Sequence, residues 1–401
     1  MSPPAASIPP SACAELDFEL TEDQRAFQQT AREFAAGELA PHAARWDAEA
    51  IFPRETLAKA GELGFCGLYA SPEHGGLGLP RLDAALIFEE MAAACPSTTA
   101  FLTIHNMATW MVSEFAEPEV AAQWCPPLTA GTRLASYCLT EPGAGSDAGS
   151  LKTSARLDGD AYLLNGSKAF ISGAGATDVL VVMARTGGNG PGGISAFVVA
   201  ADSRGITYGR KEEKMGWNSQ PTRAITFEDV RVPANQRHGE EGQGFRIAMK
   251  GLDGGRINIA TCSVGAAQAA LDAARAHLLE RRQFGQRLAD FQALQFKLAD
   301  MATELVAARQ MVRLAATRLD ARAPDATAYC AMAKRFATDV GFKVCNDALQ
   351  LHGGYGYMKD YPLERYLRDA RVHQILEGTN EIMRVIVARR LLEKPDLDVP
   401  R

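Results

Sequence analysis

The run Ala161-Tyr162-Leu163-Leu164-Asn165-Gly166, followed by Val179-Leu180-Val181-Val182-Met183, sits mid-chain and has no helical period. With residues 194–199 and 224–227 it forms a series of short β-branched and aromatic segments separated by Gly, Asn, Asp and Pro. Such a series reads as antiparallel β-structure, with Asn165-Gly166 and Asp158-Gly159 as turns. This texture begins at about Leu134 and ends at Pro233, and on either side of it the period is helical. Upstream, Thr21 and Gln24 have the spacing of a capping box, and Phe27, Ala31 and Phe34 follow at helical intervals. Breaks are expected at Pro53, in the Gly-rich loop 73–80 and at Pro126-Pro127. Downstream, Leu294, Leu298, Met301, Leu305, Ala308, Val312, Ala315 and Leu319 step alternately by four and three, the single buried stripe of a long helix in a bundle. Tyr329, Ala333, Phe336, Val340, Val344, Ala348 and Leu351 repeat the pattern, and Gly353-Gly354 supply its stop. The layout is helical, then β, then helical, with no internal repeat.

Composition narrows the function. The 401 residues allow two or three domains, and 47% hydrophobic content excludes disorder for the bulk of the chain. No stretch approaches the ~18 unbroken apolar residues of a membrane helix, so a soluble protein is expected. A net charge of -6 leaves no global footprint for nucleic acid. The eight cysteines (Cys13, Cys66, Cys95, Cys125, Cys138, Cys262, Cys330, Cys345) contain no C-x-x-C pair and read as reduced, buried thiols. The seven histidines never take metal-ligand spacing, so no metal is expected. Residues 1–14 lack the apolar core of a secretory signal, and the first Arg is Arg25, which predicts a frayed tail on a cytoplasmic protein.

Gly143, Gly145 and Ala148 fit G-x-G-x-x-A after a strand-like run. A dinucleotide fingerprint opens a helix, and Pro142 before the match and Gly149-Ser150 after it exclude that. A Gly-rich loop still lets backbone N–H groups approach a ligand. In Gln374-Ile375-Leu376-Glu377-Gly378-Thr379-Asn380-Glu381-Ile382, Thr379 has the place of an N-cap for a helix carrying Ile382, Val385 and Ile386 on one face. On composition alone, Glu377 and Glu381 have the ordinary role of carboxylates beside a helix N-terminus, stabilising its dipole.

Two separated segments carry a family resemblance. Ser136-Tyr137-Cys138-Leu139-Thr140-Glu141-Pro142-Gly143-Ala144-Gly145-Ser146-Asp147 closely resembles the first signature of the flavin-dependent acyl-CoA dehydrogenases. Gln350-Leu351-His352-Gly353-Gly354-Tyr355-Gly356-Tyr357, continuing to Arg368-Asp369-Ala370 and Glu377-Gly378-Thr379, looks like the second. The likeness runs in order from about Phe18 to Leu392. It implies an α+β fold of acyl-CoA dehydrogenase type. The implied parts are an N-terminal α-helical domain (16–133), a middle antiparallel β-barrel or sandwich (134–238) and a C-terminal four-helix bundle (239–395). The family's members are homotetramers with one FAD per subunit.

Residues 101–107, 170–175, 216–222 and 254–260 are most similar to the isobutyryl-CoA branch. The implied activity is oxidation of isobutyryl-CoA to methacrylyl-CoA in valine breakdown, with electrons passing to electron-transfer flavoprotein. A pocket separates substrates one methylene apart by only ~1–3 kcal/mol, so 2-methylbutyryl, butyryl and propionyl thioesters compete. Two rival readings are a flavin oxidase or monooxygenase on the same scaffold and a nucleic-acid-binding protein of this fold. The intact Glu377 speaks against the first, and the net charge against the second.

Carried over residue by residue, Glu377 matches the catalytic base. Taking an α-proton from a thioester needs a carboxylate whose pKa burial has raised, with donors aimed at the thioester carbonyl. Tyr137, Leu139, Thr140, Gly145 and Ser146 match the flavin-facing loop, with Ser146 also towards the CoA arm. Phe170, Ile171 and Ser172 match the strand that shields the flavin, and Phe170 stands where many relatives have Trp. Arg281, Gln283, Phe284, Phe291 and Gln292 match residues that reach a neighbouring subunit's FAD, where an Arg suits a pyrophosphate. Gln350, Leu351, His352, Gly353, Gly354, Thr379, Asn380 and Glu381 complete the flavin site by the same analogy. Asp253 and Arg256, matched to a helix-start segment, join Gly378 and Arg389 as implied substrate contacts.

Overall fold

The computed structural model describes residues 19–393. The expected N-terminal tail, Cys13 and Phe18 lie outside the described residues. The first helix, α1 (Glu22–Phe34), starts from a complete Thr21–Gln24 capping box and turns Ala31 and Phe34 inward. A π-helical turn (Ala35–Leu39) leads to α2 (Ala43–Glu49), α3 (Arg54–Glu62), α4 (Arg81–Ala94), α5 (Pro96–Phe115) and α6 (Pro118–Thr129). Pro126 and Pro127 lie inside the last turn of α6 and do not end it. They remove the N–H donors that the carbonyls of Ala122 and Gln123 would take in a helix, and both residues are exposed.

The middle of the chain forms β1 (Ala135–Cys138), β2 (Ser154–Asp158), β3 (Ala161–Ser172), β4 (Val179–Arg185), β5 (Ile194–Ala200), β6 (Ile206–Tyr208), β7 (Thr222–Pro233) and β8 (Arg237–His238). They make one eight-stranded sheet in the order β6-β7-β3-β2-β4-β5-β8, with β1 on β4. Pairing is antiparallel except at β4, which runs parallel to β1 and meets β2 in parallel at Ser154 and Arg185. Asp158-Gly159 opens the β2–β3 hairpin as expected. Asn165-Gly166 does not turn. β3 continues through it, and its register against β7 slips between Leu164 and Gly166 because β7 carries one extra residue between Val230 and Phe227, with Asp229 at φ 48°. Gly166 has φ 142°, and a β-carbon there would lie 2.6 Å from the Thr153 Cα, so only glycine fits opposite that bulge.

β4 and β5 are apolar but for Arg185 and Ser195, because both their faces are covered. Val179, Val181, Met183, Ala196 and Val198 pack with Met107 and Met111 of α5, Trp124 of α6, and Ile247 and Ala248. Leu180, Val182, Phe197 and Val199 pack with Leu164, Ile225 and Phe227 across the sheet's other side. Ile247 and Ala248 open α7 (Gly244–Glu280), a rod of about 55 Å at 1.5 Å per residue. Next come a hairpin of β9 (Arg282–Gln283) and β10 (Gln286–Arg287), then α8 (Gln292–Asp320), α9 (Ala326–His352), α10 (Leu363–His373) and α11 (Asn380–Glu393). The α8 stripe is buried through Met301, Leu305, Ala308, Val312 and Ala315 in one core with α7, α9 and α10.

Gly353, with φ 59°, ends α9. Thr379 caps α11, accepting a hydrogen bond from the Ile382 N–H at 3.3 Å. The face of α11 that turns inward, however, is Asn380 and Met383, and Val385 stays exposed. A helix packed mainly on one neighbour, here α9, buries only a narrow strip. All seven described cysteines are free and buried. Among the described residues, no group of His, Cys, Asp and Glu could hold a metal ion, and no helix is long and apolar enough to cross a membrane.

Candidate active site

Glu377 sits in the link between α10 and α11 with φ 55°, and Gly378 follows with φ 85°. A non-glycine residue in this left-handed region costs about 1–3 kcal/mol and persists only where its surroundings fix it. Its Oε2 is shut off from solvent and has no hydrogen-bond partner. Burial pushes the carboxyl up to about 7, against the opposing pull of Arg256 and Lys334. A carboxyl poised there is half-ionised at neutral pH and suited to taking a proton from a weak carbon acid.

The floor beneath it is α7. Asp253-Gly254-Gly255-Arg256 lies well inside this helix and not at its start. Two successive glycines are unfavourable in a helix interior, by about 1 kcal/mol each. Here they make room on two sides. A β-carbon at Gly255 would lie 2.5 Å from Glu377 Oε2, and one at Gly254 would lie 2.3 Å from Arg81 Nη1. Asp253 Oδ1 accepts from Arg256 Nη1 at 2.6 Å, and its Oδ2 accepts from the Thr327 hydroxyl at 2.7 Å.

Several further buried polar atoms around this space have no partner: Arg256 Nε, Arg81 Nη1 and the Tyr137 hydroxyl. The Arg81 guanidinium lies 3.5 Å from the Tyr69 ring centroid, and Tyr69 accepts from Asn258 Nδ2 at 3.1 Å. Buried polar atoms are ordinarily paired, so three orphans about one carboxyl whose own Oε2 is unpaired mark a space shaped for a polar ligand. Lys334 of α9 is fully buried and donates to the Gly378 carbonyl at 2.7 Å and to Asn380 Oδ1 at 2.9 Å.

Tyr137 joins this space to a second group of residues at the sheet's rim. The loop after β1, carrying Leu139, Thr140, Gly145 and Ser146, is held to β3 where the Ala169 N–H donates to the Thr140 carbonyl at 2.9 Å. Beneath it, Lys168 and Glu141 form a buried ion pair at 2.8 Å, and Lys168 also donates to the Leu139 carbonyl at 3.0 Å. Glu141 takes the N–H groups of Lys152 and Thr153 as well. On this base Phe170 stands outward, 70% exposed with φ 57°, while Ile171 is buried. The Ser136 hydroxyl donates to the Ser172 carbonyl at 2.6 Å.

A third group lies at the far end of the bundle. Arg281, Gln283, Gln350, Leu351, His352, Gly353 and Gly354 line a cleft of about 530 Å³ together with His277 and Tyr355. His277 stacks on His352 at 4.4 Å, and Arg281 lies over Tyr355. The β9–β10 turn is Phe284-Gly285, with φ 52° and 79°, a two-residue hairpin turn of the mirror-image type. It holds Phe284 93% exposed, edge-on to Phe291. Gln292 is exposed at the start of α8, and Glu381 and Arg389 are exposed on α11.

These surfaces suit a flavin nucleotide. Gly143, Gly145, Gly285, Gly353 and Gly354 have nothing within 4 Å of a β-carbon, so backbone is open to a ligand. An outward aromatic wall at Phe170 and a cationic cleft at Arg281 match a flat ring and a pyrophosphate. Sequence reasoning missed Tyr69, Arg81, Asn258, Lys334 and the Lys168–Glu141 pair. Lys334 carried a signal, being a lysine on a helix face otherwise made of Cys330, Thr338, Gly341 and Cys345.

Sequence models of the acyl-CoA dehydrogenase N-terminal, middle and C-terminal domains match residues 21–132, 136–230 and 242–392. The chain belongs to the acyl-CoA dehydrogenase family. It is 56% identical over 383 residues to isobutyryl-CoA dehydrogenase, mitochondrial, of Bos taurus, spanning 96% of this chain and 92% of that one. It is 57% identical over 373 residues to the protein of the same name from Dictyostelium discoideum, spanning 93% and 90%. The solved butyryl-CoA dehydrogenase of Megasphaera elsdenii superposes with a TM-score of 0.91 at 40% identity, over 94% of this chain and all of that one. This acyl-CoA dehydrogenase is therefore a flavin-dependent oxidoreductase with the family's helical, β and helical parts.

Proposed function

We propose that this acyl-CoA dehydrogenase oxidises a short branched acyl-CoA, isobutyryl-CoA to methacrylyl-CoA, with Glu377 as the base and FAD as the flavin. The observation that carries the reading is the Glu377 carboxyl over Gly255, its Oε2 shielded from solvent and without a partner and its pKa raised toward neutral by burial. The two relatives at 56% and 57% identity support the acyl group by their names. In this reading Glu377 removes the α-proton while the orphaned donors around it orient the thioester. The flavin supplies the acceptor for the hydride that leaves the β-carbon. Tyr137, Leu139, Thr140, Gly145, Ser146 and Phe170–Ser172 hold its ring, and Thr379, Asn380 and Glu381 flank it. Arg256, Asp253, Gly378, Ser146 and Arg389 are assigned to the CoA thioester.

Arg281, Gln283, Phe284, Phe291, Gln292 and Gln350 through Gly354 are assigned to the FAD of a neighbouring subunit in a homotetramer. Their cleft shares none of its lining residues with the surroundings of Glu377, which favours service to another copy. Electron-transfer flavoprotein is the proposed acceptor. Domain limits at 16–133, 134–238 and 239–395, and a cytoplasmic location, are part of the same reading. The buried free thiols fit any reducing compartment, that of the relatives named mitochondrial included.

Anaerobic mixing of the flavin-loaded protein with isobutyryl-CoA tests the assignment. Rapid bleaching is expected, with none in Glu377→Gln. A flavin that stays oxidised with isobutyryl-CoA but bleaches with butyryl-CoA moves the substrate. Prompt peroxide formation in air points to an oxidase.

A further inference from the structure

The left-handed turn at Glu377 and Gly378 needs something to fix it, and one side chain does so from another helix. Lys334 crosses from α9, and its ammonium is accepted by the Gly378 carbonyl at 2.7 Å and Asn380 Oδ1 at 2.9 Å. Asn380 is in turn gripped by α9, its Nδ2 donating to Thr338 Oγ1 at 2.9 Å and Asp339 Oδ1 at 2.8 Å. Lys334 has no carboxylate within ion-pair distance among the described residues. A buried ammonium held by neutral oxygens is costly, which calls for a role beyond packing.

We propose that Lys334 is a positioning residue for Glu377: it fixes the turn that presents the carboxyl and supplies the standing positive charge beside it. This rests on the reading of Glu377 as the base.

Burial lowers the Lys334 ammonium to about 8, with the Glu377 charge acting in the opposite sense, so it remains protonated at neutral pH. The other groups around this pair are Arg256 from α7, Arg81 from α4, Tyr69 ahead of α4, Tyr137 from β1, Asp339 on α9, Glu381 on α11 and His373 on α10. Burial holds His373 at about 3, so it stays neutral across the working range. Of these groups, only Lys334 and Arg256 are cations acting on the Glu377 carboxyl. Only Lys334 also bonds to the turn that carries it.

The test compares Lys334→Met, Lys334→Gln and Lys334→Arg with the wild type, all flavin-loaded. Glu377 ionisation is read by infrared titration of the protonated carboxyl band that Glu377→Gln abolishes, and by the pH profile of flavin bleaching. Removing a nearby positive charge raises a carboxyl pKa, here by about one unit. The ionised fraction at pH 7 then falls about fivefold. Lys334→Gln keeps a neutral donor on a stem one bond shorter and should show this shift with acyl-CoA binding kept within about twofold. Lys334→Met should show it with a larger fall in kcat, and Lys334→Arg should leave the midpoint in place. A midpoint unmoved in folded Lys334→Gln or Lys334→Met overturns the proposal. So does failure of both neutral variants to fold, because an architectural lysine then accounts for the observation. Should Glu377→Gln itself bleach the flavin, it is the base assignment that fails, whatever the Lys334 variants do.

Discussion

Gly255 stands directly under the Glu377 carboxyl, with only 2.5 Å between its missing β-carbon and Oε2. The atom that must yield to a methyl group there is the end of a flexible side chain, so the fold gives way cheaply. Ala in place of Gly also favours a helix by about 0.5–1 kcal/mol. Gly255→Ala is therefore expected to keep or raise the melting temperature. It should slow flavin bleaching on the order of a hundredfold, since a misplacement of ~1 Å costs that much. Paired thermal melts and stopped-flow reduction at equal flavin content check both halves, and a wild-type rate sinks the idea.

Glu377 links activity and stability to pH in opposite directions. Its folded value of about 7 lies above the ordinary 4.5 because burial penalises the charge. The base works ionised, so the rate should rise with pH and level off above about 7. Between about 4.5 and about 7 the folded chain keeps a proton that the unfolded chain has lost, and stability falls as pH rises through that window. The loss is at most about 3 kcal/mol at pH 8, from ~1.4 kcal/mol per unit. Glu377→Gln should thus melt higher than wild type at pH 8 and close to it at pH 4.5. Equal differences at both pH values would count against a buried, near-neutral carboxyl.

The Lys168–Glu141 pair predicts a loop defect. Breaking a buried pair by removing one partner costs about 3–5 kcal/mol. Lys168→Met leaves Glu141 without its cation and frees the Leu139 carbonyl, so stability and flavin retention should drop together. Lys168→Met with Glu141→Gln should recover part of the stability, because the Lys152 and Thr153 N–H groups still find an acceptor. Denaturant unfolding and flavin content after gel filtration measure both.

Arg281 carries the prediction for the far cleft. Arg281→Ala is expected to lower flavin retention while leaving the Glu377 ionisation midpoint in place, because the two sites share no lining residue. A shifted midpoint, or undiminished retention at low protein concentration, would remove it from the cofactor's neighbourhood.

Periodicity made the architecture legible where one surface decides the pattern. The α8 stripe from Leu294 to Leu319, the Thr21 capping box and the Gly353 stop all follow from local rules. It failed where a tertiary contact overrides a local preference. Asn165-Gly166 has the composition of a turn, but Gly166 packs against Thr153 and the pair continues β3 opposite a bulge in β7. Pro126-Pro127 break a helix only if it has further to go, and α6 ends at Thr129. At the site, the two signatures marked Glu377 and Tyr137, since residues near each other in sequence share those motifs. Tyr69 comes from the turn after α3, Arg81 from the start of α4 and Lys334 from α9, and only folding brings them to the same space. The double glycine in α7 was visible as letters, yet its reason, the Glu377 and Arg81 side chains above it, lies 122 and 173 residues away.

α7 also has a consequence for the order in which the chain is made. The sheet's last strand ends at His238, before Ile247 and Ala248 exist to cover Val179, Val181 and Met183. A nascent chain that has just finished its β part therefore has that face covered by α5 and α6 alone, and the next helix to emerge both completes the cover and lays down Gly255 and Arg256. A chain cut short before α7 lacks part of the cover, while one cut at the end of α10 keeps the α7–α10 core and lacks Glu377. The carboxyl over Gly255 is among the last groups that synthesis adds.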